Sequence, residues 1–135
     1  MEENTDSVPD TAPLVAVRGL AVIAIHVSNL ARSLEFYKKM LGFQEGDQML
    51  EPGVTLQAGD ATIYLAEGRE PAEHEPGTRA GISLCLVAPG VRANYERLRD
   101  AGVRIVHEYT QASEFFATVG IADPDGNVVE LWGKA

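Results

Sequence analysis

Residues 20–27 read LAVIAIHV, and the fold follows from this run. Every second position, Ile23, Ile25 and Val27, is a large β-branched residue; Val22, Ala24 and His26 in the other phase are smaller or polar. Side chains alternate across a strand, so one face is made to pack and the other can meet something else. The pattern returns at residues 81–87, GISLCLV, where Ile82, Leu84 and Leu86 fall on Ile23, Ile25 and Val27. Gly81, Ser83 and Cys85 then fall on Val22, Ala24 and His26. The chain reads as two copies of one module.

Working outward from the first copy, Ser28 or Asn29 suits the N-cap of a helix reaching about Met40. Leu30, Leu34, Tyr37 and Leu41 make its apolar stripe, with Phe36 off centre, and Gly42 supplies its left-handed end. Three extended segments are predicted at 43–50, 53–57 and 61–66, punctuated by Pro52-Gly53 and Gly59-Asp60. Residues 68–80, with charge, prolines and glycines, form a linker. The order then repeats: a strand at 81–87, a helix with Pro89 in its first turn and Gly102 at its end, and strands at 103–107, 114–122 and 127–132. Asp123-Pro124-Asp125-Gly126 is a turn before the last strand. Each half is strand, helix, strand, strand, strand: residues 19–67 and 81–135 of one α+β domain, behind an acidic arm at 1–18.

A chain of 135 residues can bury a core without staples, and 45% hydrophobic with 23% charged residues is ordinary for a globular domain. Its single cysteine forms no intrachain disulfide, which fits a reducing cytosol. A net charge of −9 without a basic patch argues against nucleic acid and is compatible with a cationic ligand. The acidic start is no secretory signal and the longest apolar run is too short to span a bilayer, so the expectation is a cytoplasmic protein with no membrane partner.

With the aliphatic phase under the helices, the other phase lines a concave side. Alternation alone selects Val22, Ala24, His26, Thr62, Tyr64, Ser83, Cys85, Val128, Glu130 and Trp132 as the wall of a cup. A few polar groups on an apolar wall describe a small-molecule site. His26 is the best general base by type, and Glu130, if ionised and buried, needs a partner. Either also serves as a hydrogen-bonded wall residue. Cys85 equally reads as a small hydrophobe, and Tyr64 and Trp132 as core packing instead of stacking surfaces. His74, in the linker, and His107, at a strand end, are expected to be solvated, unless a linker or loop over the cup mouth brings one in.

Two motifs, VSNLARSLEFYKKMLGF at 27–43 and DPDGNVVELW at 123–132, resemble the vicinal oxygen chelate superfamily. That group includes glyoxalase I, extradiol dioxygenases, fosfomycin-resistance enzymes and bleomycin-resistance proteins. The resemblance covers residues ~20–133 and implies paired βαβββ modules in a curved mixed sheet around a cup, one helix outside each, and usually a homodimer. It does not choose among functions, since one fold hosts many chemistries. In the metal-dependent members the ligands come from the first and last strand of each module. Those positions fall here on Val22, Tyr64, Gly81 and Glu130, and only Glu130 keeps a ligand type. A divalent ion needs several converging donors.

The expected function is therefore a glyoxalase- or bleomycin-resistance-like binding protein without the metal and with no cofactor, holding an aromatic or cationic small molecule in the cup or a dimer groove. The expected ligand-binding residues are Val22, His26, Tyr64, Ser83, Cys85, Glu130 and Trp132. Two alternatives stay open. One is a metal-dependent lyase or dioxygenase with ligands rearranged onto Glu130 and His26. The other is a metal-free isomerase or lyase using His26 and Glu130 as a catalytic acid–base pair.

Overall fold

A computed structural model of the chain describes residues 13–46, 52–68 and 82–135. The first module runs β1 (Ile23–Val27), α1 (Leu30–Leu34), β2 (Gln44–Glu45), β3 (Val54–Ala58) and β4 (Ala61–Glu67). The second runs β5 (Leu84–Val87), α2 (Val91–Asp100), β6 (Ile105–Ser113), β7 (Phe116–Ala122) and β8 (Val128–Gly133). Each module makes its own four-stranded sheet, ordered β1-β4-β3-β2 and β5-β8-β7-β6. In both, the first strand pairs parallel with the last and the remaining pairs are antiparallel. The expected α+β architecture of repeated βαβββ modules is present; the sheets do not close.

Local sequence explains the helix ends. Asn29 is the N-cap of α1, its side chain accepting from Arg32 N, which satisfies a backbone donor no helical carbonyl can reach. Past Leu34 the helix widens to π geometry over Glu35–Met40 and stops at Gly42, whose φ of +76° suits a residue without Cβ. The buried face centres on Ser33, Phe36 and Tyr37, with Leu30, Leu34 and Leu41 flanking it. Phe36 is thus central, contrary to the stripe predicted from sequence. Pro89 stands before α2 and not in its first turn. Gly90 is the cap there, and the N–H groups of Gly90 and Val91 donate to Lys134 O.

The strands differ from expectation mainly at edges. β1 begins at Ile23, and Leu20 is exposed. β6 runs on to Ser113, past the predicted end at His107; residues 110–113 of this outermost strand are all exposed, so no apolar alternation marks them in sequence. The segments at 47–51 and 69–81, with the predicted linker, Gly81 and His74, lie outside the described residues, as does most of the acidic arm.

The aliphatic phase does pack under the helices. Ile63, Leu65, Val129 and Leu131 join Leu56, Val119, Ile121, Phe36, Tyr37, Val91 and Leu98 in one buried cluster. Ile25 and Leu84, on the edge strands β1 and β5, are only half-buried. A buried contact between the modules is polar. Tyr37 Oη donates to Asp123 Oδ2 at 2.7 Å, and Asp125 accepts from Ser28 N at 3.2 Å and from Ser28 Oγ. Asp123 also accepts from Asp125 N, Asn127 N and Asn127 Nδ2. Burial, then the Asp123 charge and hydrogen bond and the Asp125 charge, raise the Tyr37 phenol well above its ordinary value.

Two outcomes are expected. Leu56→Ala or Leu65→Ala should cost about 2–5 kcal/mol, and Leu84→Ala distinctly less, in urea unfolding. Tyr37→Phe should cost about 1.5–3 kcal/mol at pH 7 by removing a hydrogen bond to a buried carboxylate. A phenol held protonated in the fold stabilises fully below its unfolded pKa, and that contribution is lost as pH rises toward the folded value. The wild type should therefore lose stability above about pH 10, and the variant should lose less over the same range.

Candidate functional site

On the side away from the helices, the second sheet carries a continuous row of residues. Register places Cys85 beside Glu130, Glu130 beside Gly120, and Gly120 beside His107. Side chains facing one another across neighbouring strands meet on one surface. A Cβ on Gly120 would stand 2.8 Å from the His107 ring, so glycine here is what lets the imidazole lie across β7. The His107 Nε2 atom is buried and, among the described residues, has no hydrogen-bond partner.

His107 was expected to be solvated at a strand end, and the structure corrects this. Strand β6 shifts register on both sides of His107. Ile105 pairs with core residue Ile121 while His107, two residues on, pairs with Gly120 of the opposite phase. The extra residue before His107 turns it to the other face, and the next shift, before Thr110, turns the strand back, which simple alternation cannot anticipate. The available signal was Gly120 itself, an isolated glycine in an apolar strand.

The neighbouring row ends in aromatics. Trp132 pairs in register with Val87 and Thr118, stacks edge-on with Phe116 at 5.4 Å, and donates from Nε1 to Glu130 Oε1 at 2.8 Å. Trp132 is 41% and Phe116 36% exposed, and Cys85 is exposed. A flat ring, a carboxylate acceptor and an imidazole thus share one face.

The first sheet is arranged differently. Tyr64 lies in register between Ala24 and Thr55. Its hydroxyl accepts from Gly53 N at 3.0 Å, and its ring sits where a Cβ on Gly53 would be. Thr62 donates to Gln57. Ala24 and His26 border a cavity of about 430 Å³ with Tyr37, Asn127 and Val128. Tyr64, Cys85, Glu130 and Trp132 lie outside that cavity, so the predicted wall is split between two surfaces. His26 is exposed on β1, and Val22 and Ser83 are half-buried beside the strands that follow them.

The family's metal positions can be tested on this geometry. The Tyr64 oxygen is held by Gly53, Glu130 by Trp132, and Val22 offers no donor. Gly81 is outside the described residues. Among the described residues, no three His, Cys, Asp or Glu side chains are grouped to hold an ion. This donor set does not fit a divalent cation. Among them, too, no helix is long and apolar enough to cross a membrane.

No curated protein matches the chain. Among solved structures, UcmS2 is 25% identical over 87% of this chain and 98% of that one, with a TM-score of 0.68. A hypothetical protein, SA1046 from S. aureus, is 27% identical over 87% and 98%, with a TM-score of 0.63. A lactoylglutathione lyase from Agrobacterium tumefaciens shares the fold, with 22% identity, coverage of 84% and 92%, and a TM-score of 0.63. A family model matches residues 19–131, so the two modules found here are those of the Glyoxalase/Bleomycin resistance protein/Dioxygenase superfamily, to which the chain belongs.

Proposed function

We propose that this protein binds a small aromatic or cationic molecule on the inner face of its second sheet and works without a metal ion. One observation carries the reading. Glu130, which alone keeps a ligand type at the family's metal positions, is paired with the indole of a partly exposed Trp132 that stacks on Phe116. That corner offers a π surface beside a negative group. Such a pairing suits a flat or cationic guest, through stacking and cation–π attraction. The net charge of −9 favours the same sign of ligand.

We take the working unit to be a cytoplasmic homodimer. Val87, 87% exposed, lies beside Trp132 on this face, and apolar surface left open in one chain is what a second copy covers. The family resemblance points the same way.

Trp132 is the chain's single tryptophan, so its fluorescence reports the site directly. An acridine cation should quench it saturably, and Glu130→Ala should weaken that binding by about 10–100-fold, the loss of a charged contact. The fold should survive, since the change removes charge from an open face and not packing from a helix. A large loss of thermal stability in Glu130→Ala would instead make the residue structural. Elemental analysis of the purified protein should find far less than one metal per chain. About one tightly held Ni, Zn, Mn or Fe would end the metal-free reading.

A further inference from the structure

A second surface, under the helices and along the open edge of β5, has its own chemistry. Between the π-helical continuation of α1 and helix α2 runs a groove of about 960 Å³, near the upper end of the size range of small-molecule sites. Its floor is aliphatic, with Ile23 from β1, Leu84 and Leu86 from β5, and Leu131 from β8. Its borders carry Lys39 from the first module and Arg97 from the second, against one carboxylate, Asp60.

Among the described residues six cations are in no ion pair, Arg18, Arg32, Lys39, Arg97, Arg104 and Lys134, and of these only Lys39 and Arg97 border the groove. Lys38, Arg92 and Arg99 are each in an ion pair, with Glu45, Glu96 and Asp100. Among the described residues Lys39 has no hydrogen bond or ion pair, and Arg97 is held only by a side-chain amide, its Nη2 donating to Asn94 Oδ1 at 2.8 Å. Asn94 also borders the groove, so this bond keeps the guanidinium at its edge. In a chain of net charge −9, two unneutralised cations at the border of one apolar trough make a local reversal of sign.

We propose that this groove binds an amphipathic anion, an unbranched apolar tail lying on the aliphatic floor and a carboxylate head held between Lys39 and Arg97. The tail takes apolar floor out of water, and the head gains charge-assisted hydrogen bonds on partly dry ground. Cys85 and Val87 of the edge strand β5 border both surfaces, but Lys39, Arg97 and the aliphatic floor belong to the groove alone, so the charge-reversal test below separates this site from the Glu130–Trp132 face.

The test is calorimetric titration of the full chain with dodecanoate, with dodecanol and dodecyltrimethylammonium as head-group controls. Dodecanoate should bind at one site per chain, dodecanol at least ten-fold more weakly, and the ammonium more weakly still. Charge reversal in Lys39→Glu/Arg97→Glu should weaken dodecanoate at least ten-fold, and Asp60→Asn should strengthen it. Dodecanoate should raise the melting temperature of the wild type and not of the double variant. Equal affinity for the three heads, or a double variant that binds like the wild type, would overturn the proposal. So would an absence of saturable binding, the result if the exposed apolar residues Leu14 to Leu20 or a second copy already fills the groove.

Discussion

Two sheets with separate hydrogen-bond ladders stay together in this protein because of a buried carboxylate. Asp123 takes up the Tyr37 hydroxyl from the first module while its remaining lone pairs accept from its own turn. A carboxylate that is 4% exposed would be costly without such partners, and with them it becomes a directional lock. Asp125, two residues on, closes on Ser28 at the entry to α1. The apolar cluster beneath the helices gives most of the burial but little direction, since aliphatic contacts tolerate sliding. Hydrogen bonds to a fixed carboxylate do not.

This lock also explains why the two family motifs look as they do. Residues 27–43 and 123–132 are far apart in sequence, yet Ser28, Tyr37, Asp123 and Asp125 belong to one network. The motifs identify a fold because they hold its halves in place. For the same reason they are poor guides to chemistry: the atoms they specify are spent on architecture, and the inner face is left free to vary.

That inner face divides by sheet. In the first, Tyr64 is taken up by the Gly53 backbone and Thr62 by Gln57, while His26 stands exposed on the edge strand β1. In the second, an indole, a carboxylate, a thiol and an imidazole stand on one surface with aromatic area still open to solvent. Two modules of common pattern thus differ in what their inner faces leave open.

Alternating aliphatics, two glycine-ended helices and the repeat of one pattern at residues 20–27 and 81–87 determined the βαβββ modules, because side-chain period and helix-capping chemistry are local properties of the chain. The same alternation put Glu130, Trp132 and Cys85 on a shared face, as found. What tertiary structure alone decided is where that logic breaks or reaches across space. The irregular register of β6 turned His107 onto the inner face, and the edge positions of β1 and β5 left Ile25 and Leu84 half-open. The turn at residues 123–126 was legible as a turn, but its burial against Tyr37 was not. Register shifts and long-range hydrogen bonds depend on which strand lies next to which, and no window of neighbouring residues contains that.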